Sequence, residues 1–275
     1  MVSRHLVAPN SIRGPAADCF FIKSRNYCRD QVIKWRLGVA RIIQAAWLAL
    51  AALMLSGCAA EEDKAPDYRY RLTVEVETPQ GLRSGSSVIE VQQSIGRTTM
   101  SGFGEQVFLR IRGEAVAVDL PDGRTLYALL RSSGDVEWAA RVIPFLSPDA
   151  NDDNPLDDLL LLEGEKELPR TWSKPGPFNN RSAYPMMVTF GDEADPTSVA
   201  EVDPDDLAAT FGEGVKLKRV TAELTDDPVT AGIEKRLRWL SEYPEPRLDP
   251  NYRGSTNPNL SQSLWHGDFR KGGGL

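Results

Sequence analysis

Cys58 is the residue of this 275-residue chain best placed for covalent chemistry. Leu55 stands three places before it, with the small residues Ser56 and Gly57 between. An extended backbone of that composition can lie flat in a peptidase groove and leave the sulfur free to form a thioether to lipid. Other reactive side chains are scarce. Cys19 and Cys28 lie upstream of Cys58, and of the two histidines only His266 lies downstream. A single histidine excludes multi-histidine zinc sites and HExxH proteases. No GxSxG elbow, P-loop or SxxK motif is present. A Ser-His-Asp triad would have to draw on His266, in a polar tail, and no catalytic residue is assigned.

The segment that must position Cys58 has the layout of a secretory signal. Lys34, Arg36 and Arg41 form a positive flank, residues 42–55 are an apolar stretch of 14 residues, and Ser56 and Gly57 precede the cut. Positive charge stays on the cytoplasmic side, so the chain from Cys58 onward is exported. A transmembrane anchor needs roughly 20 apolar residues. Extending the run back to Leu37 would bury Arg41, at about 2.5–3.5 kcal/mol on insertion scales.

Residues 34–58, and no others, resemble the precursor signal of bacterial lipoproteins, with Leu55-Ser56-Gly57-Cys58 as the lipobox. The resemblance implies a diacylglyceryl group on Cys58, cleavage between Gly57 and Cys58, and acylation of the new terminus by a chain such as palmitate. Each buried methylene contributes about 0.8 kcal/mol, so two or three chains hold where one would not. Ala59 follows the cysteine in place of an aspartate. In the family's sorting rule that favours the outer membrane, facing the periplasm, over the inner. The leader, residues 1–57, is longer than the usual 15–30. Residues 1–31 read as a surplus extension, with a true start near Val32 and a signal peptide over residues 32–57; a long n-region is the alternative.

Removing the leader takes eight bases and two acids from totals of 32 and 39, leaving 24 against 37 and a net charge of −13. Such a chain is repelled by phosphate backbones, so nucleic acid is not an expected partner. Residues 58–67 read as a lipidated cysteine on an acidic tether. Residues 68–250 read as one domain, and residues 251–275 as a polar tail that is either draped on it or disordered.

From Tyr68 the chain alternates without a fault, with Tyr70, Leu72, Val74 and Val76 on one side and Arg69, Arg71, Thr73, Glu75 and Glu77 on the other, as in a half-buried strand. Further strands are expected at residues 88–95, 107–111, 115–120, 125–131, 184–190 and 215–224, with a bulge or kink at Gly113 and a hairpin turn at Pro121-Asp122-Gly123. The expected core includes Leu72, Val74, Val76, Val107, Leu109 and Val116. Asp203-Pro204 announces a helix capped by Asp203 and closed at Gly212; Asp227-Pro228 announces another, with Ile233, Leu237 and Leu240 inside and a Glu234–Arg238 pair outside. The fold class is therefore α+β, mainly antiparallel β-sheet, sandwich-like or open, with a few short helices in the C-terminal half.

Three constellations carry alternative readings. Asp149, Asn151 and Asp153 resemble the opening of an EF-hand-type calcium loop, but Asn154 stands where glycine is needed and Leu160 where a bidentate glutamate is needed. The same residues can cap a helix over residues 155–162, and no metal or other cofactor is expected. The bases Lys216, Lys218, Arg219, Lys235, Arg236 and Arg238 either meet anionic lipid headgroups or an acidic partner, or are solvated faces of a strand and a helix. Trp172, Phe178 and Tyr184 either stack on a sugar or protein partner or pin a long loop to the core. The expected function is a non-enzymatic binding or scaffolding domain of an envelope lipoprotein, with the membrane and an envelope protein or glycan as partners. The alternative is a carboxylate-based hydrolase of cell-wall or glycan substrates, which would need two buried carboxylates about 5–10 Å apart in a cleft.

Overall fold

Eleven residues of uninterrupted alternation form β1 (Tyr68–Thr78), whose inward side chains are buried and whose outward ones are mostly half-exposed. The computed structural model describes residues 67–97, 105–147, 162–173, 177–241, 246–254 and 256–272; side chains 95–97, 105–107 and 241 are not among those described. Cys58, Gly57, Asp149, Asn151 and Asp153 lie outside these residues.

After a turn at Pro79 and Gln80 come β2 (Gly81–Arg97), β3 (Glu105–Glu114), β4 (Val116–Asp119) and β5 (Thr125–Ala128). Helix α1 (Trp138–Leu146) is next, then β6 (Lys166–Glu167), β7 (Met187–Phe190) and β8 (Val199–Val202). Helix α2 (Leu207–Phe211), β9 (Lys216–Leu224), α3 (Leu260–Ser263), α4 (His266–Phe269) and β10 (Arg270–Lys271) complete the order. All pairings are antiparallel, in an open six-stranded sheet ordered β10-β3-β2-β1-β9-β6 and an open four-stranded sheet ordered β4-β5-β7-β8. The fold is mainly antiparallel sheet with short helices in its C-terminal half.

The chain passes from the large sheet to the small one at Gly113, the expected kink, where φ is +145° and a Cβ would come within 3.2 Å of Ile89. β4 then lies against β2 so closely that a Cβ on Gly85 would sit 2.1 Å from the Ala117 carbonyl oxygen. The Pro121-Asp122-Gly123 hairpin forms as expected, with Leu120 accepting from Gly123 N–H at 3.1 Å and Gly123 at φ +85°.

Two cores result. Between the sheets lie Leu72, Val74 and Val76 of β1, Ile89 and Val91 of β2, Val116 and Val118 of β4, and the buried face of α1. On the far face of the small sheet, Tyr127, Val188 and Phe190 pack against Ile233, Leu237, Leu240, Leu264 and Phe269. The C-terminal segment is therefore core-forming: His266, Asp268 and Phe269 are buried, and β10 pairs with β3 at Glu114 and Gly113.

Several expectations are corrected. Leu109 is 41 % exposed, because β3 there has run past the end of β1, and the first pair of β1 with β2 is Tyr68 with Val91. The helix expected from Asp203 starts three residues later: Asp203 closes a local turn by accepting from Asp205 N–H, and Asp206 caps α2 by accepting from Ala209 N–H at 3.1 Å. Residues 233–241 form two short 3₁₀ turns in place of one helix, and Glu234 faces Arg270 at 3.7 Å. Helix α1 was not expected. Pro144 in its last turn cannot donate to the Ala140 carbonyl, and the Tyr68 hydroxyl donates there instead at 3.1 Å. Tyr70 donates to the neighbouring Ala139 carbonyl at 2.7 Å, and burial pushes the acidity of both phenols far down.

Candidate functional site

An open cleft of about 400 Å³ lies where the chain enters β1, lined by Asp67, Tyr68, Arg69, Glu90, Leu224, Thr225 and Asp226. The register of three adjacent strands builds it. Arg69 of β1 stands opposite Glu90 of β2, and Glu90 opposite Arg112 of β3, so the three charges form a row across the outer face of the sheet. Arg69 Nε donates to Glu90 Oε1 at 3.0 Å, Arg112 to Oε2 at 3.1 Å, and Gln92 also to Oε2 at 3.2 Å. Glu90 is buried by its partners, whereas the guanidinium side chains of Arg69 and Arg112 stay 40 and 48 % exposed. Asp67 accepts from Gln93 N–H at 2.9 Å, tying the chain entry to β2. Both Glu90 oxygens are thus taken by internal donors, and Arg69, the one base among the lining residues, also donates from Nη1 to the Asp226 carbonyl at 3.3 Å, with Asp67 and Asp226 beside it.

Two other buried carboxylates serve local structure. Burial raises the pKa of Glu114, whose Oε2 accepts from Ile233 N–H at 2.9 Å. Burial likewise raises that of Asp268, which accepts from Trp265 N–H at 2.8 Å and faces Arg131 at 3.6 Å. Neither lines the cleft at Glu90. His266 packs on the Trp239 ring, centroids 4.9 Å apart, in the second core. Among the described residues no group of three His, Cys, Asp or Glu side chains could hold a metal ion.

The other expected constellations take their structural roles. Lys218 and Arg219 both engage Glu75, at 3.2 and 2.9 Å, and Arg236 engages Asp119 at 2.5 Å, so much of the basic cluster is paired. Trp172 is buried edge-on against Phe145, and Phe178 packs on Phe145 under the guanidinium of Arg141. Tyr184 lies beneath Arg170 at 5.4 Å. The aromatic set pins its loop to α1 and to neighbouring arginines.

Sequence reasoning missed the Arg69–Glu90–Arg112 row. The alternation of β1 placed Arg69 outward, but its partners are 21 and 43 positions away and join it only through strand register. No family model, no curated protein and no solved structure matches this chain.

Proposed function

We propose that this chain is the precursor of an envelope lipoprotein, anchored through a lipidated Cys58 and placed at the outer membrane facing the periplasm. The domain from Tyr68 onward is a non-enzymatic binding or scaffolding module. The observation that carries the anchor is the lipobox Leu55-Ser56-Gly57-Cys58 at the end of the apolar run. The non-enzymatic reading is supported by how the buried carboxylates are used: Glu90 is held by Arg69 and Arg112, Glu114 caps the turn at Ile233, and Asp268 caps α4. Each is committed to the fold.

Replacing Cys58 by serine tests the anchor. The expected result is an uncleaved precursor that takes up no labelled palmitate and leaves the outer-membrane fraction. Unchanged processing, labelling and fractionation of Cys58→Ser would overturn the proposal.

A further inference from the structure

A cavity of about 400 Å³, separate from the cleft at Glu90, opens where the small sheet ends, at the start of β7 and the end of β8. A volume of this order lies within the roughly 300–1,000 Å³ of small-molecule sites. Strand register builds its floor: Met187 of β7 pairs with Val202 of β8, and Met186, Pro185 and Pro204 continue the apolar lining on either side. Ser133, in the turn that follows β5, closes one wall. Arg170 and Ser182, drawn together by the bridge between Thr171 and Ser182, close another.

The polar groups around this floor are of two kinds. Arg170 is fully engaged: Nε and Nη2 donate to the Asp205 carboxylate at 2.9 and 2.7 Å, and Nη1 donates to Ser182 Oγ at 3.1 Å. Ser182 Oγ in turn donates to the Tyr184 carbonyl at 3.2 Å. Glu201 and Asp203 differ, since both are exposed and neither forms an ion pair among the described residues. Glu201 Oε1 accepts from Ser133 Oγ at the long distance of 3.5 Å, and Asp203 Oδ1 accepts from Asp205 N–H at 2.9 Å. Glu201 Oε2 and Asp203 Oδ2 are left to solvent or a ligand. Arg131 and Arg181, the bases of the neighbouring loops, are turned to the carbonyls of Ser132 and Gly134.

We infer that this cavity takes a primary ammonium on an aliphatic stem, with the nitrogen at Glu201 and Asp203 and the stem along the floor at Met186 and Met187. The inference rests on the reading of the domain as a non-enzymatic binding module and is independent of the Cys58 anchor. Two separate carboxylates beside a hydroxyl suit a compact cation with rotatable donors. The planar fork of a guanidinium matches a single carboxylate, and Arg170 already fills that arrangement on Asp205. An organic cation is favoured over a metal ion, because among the described residues no group of three His, Cys, Asp or Glu side chains could hold one. The thioether side chains of the floor are flexible and polarizable, which lets them follow an alkyl chain. A free diamine and the side chain of a lysine both present this chemistry.

The test uses the full chain in mild detergent with isotopically labelled methionine methyl groups, the signals of Met186 and Met187 being assigned by replacing each with leucine. Cadaverine, or the capped amino acid N-acetyl-lysine methylamide, should shift both signals and saturate. The uncharged pentane-1,5-diol should not. Glu201→Gln with Asp203→Asn keeps the oxygens that Ser133 and Asp205 N–H use but removes the charge, and should weaken binding at least about tenfold. Glu77→Gln with Glu163→Gln removes the same charge from exposed positions elsewhere and should leave the affinity unchanged. No shift with either amine, equal shifts with the diol, or equal weakening by the two double variants overturns the inference. Binding of cadaverine alone assigns the ammonium to a free diamine, and binding of the lysine derivative alone assigns it to a protein side chain; either supports the site. Chemically altered cadaverine recovered from the sample would sink the non-enzymatic reading and leave the site standing, whereas intact cadaverine that never bound removes the site alone.

Discussion

Glu75 illustrates how a single side chain carries stability in this domain. Arg219 donates to both of its oxygens at 2.9 Å and Lys218 lies at 3.2 Å, an arrangement that pulls its pKa down to about 2 against the opposing effect of burial. An acid depressed in this way adds stability that is complete above its unfolded value of about 4.3 and disappears as pH falls through the folded value. Glu114 and Asp268 act in the opposite direction. Their raised values add stability below the unfolded pKa that is lost as pH rises through the folded one. Glu75→Gln should therefore melt at a lower temperature than the parent at neutral pH, with the gap closing between about pH 4.3 and pH 2. Thermal melts across that range check it. A gap that does not change with pH would show that charge is not its source. The sequence revealed that Glu75 and Arg69 face outward, but not that one meets Arg219 and the other Glu90, since those meetings depend on a register set by distant strands.

Elements were legible where one periodicity governs them. β1 alternates without interruption, and the β4–β5 hairpin has a proline and a glycine where its turn requires them. Helix α1 was obscured because its own signals conflict: Glu137 at its N-cap makes no side-chain capping bond, and Pro144 sits in its last turn. Its stability comes from elsewhere, from the burial of Trp138, Ala139, Ala140, Val142 and Ile143 in the core and from two tyrosines of β1. This gives a graded expectation. Tyr68→Phe leaves the buried Ala140 carbonyl without the donor that Pro144 cannot provide, at about 1–3 kcal/mol. Tyr70→Phe should cost only about 0.5–1.5 kcal/mol, because the helix ladder still serves Ala139 through residue 143. Pro144→Ala restores an N–H to Ala140, so the cost of Tyr68→Phe should shrink in that background. Urea unfolding of the four proteins in a double-mutant cycle measures the coupling, and a Tyr68→Phe cost unaffected by Pro144→Ala would refute the account. Leu109 shows the converse limit. Its place on the apolar side of β3 was readable, but the end of the covering strand was not, because that depends on where β1 begins to pair.

The described residues form two open sheets with a core between them and a second core closed by the last described turn. Phe269 is fully buried against Tyr127, Phe190 and Trp239. Phe269→Ala should cost about 3–5 kcal/mol. Deleting residues 256–275 should expose the far face of the small sheet, seen as binding of an apolar dye and loss of the cooperative melt; a truncated protein that melts like the parent would show that this core is dispensable. The segment's polar composition hid this role, since Leu264 and Phe269 are too widely spaced to read as a core element. The same closure imposes an order of events during synthesis. β1, a central strand of its sheet, waits for β9, whose Val220 pairs with Val74, and β3 waits for β10 at Arg270 and Lys271. Contacts of such long sequence separation form slowly. The two sheets therefore cannot be complete until residues 270–271 have been made. Until then the edge of β3 at Gly113 and Glu114 waits for its partner, and the second core lacks Phe269.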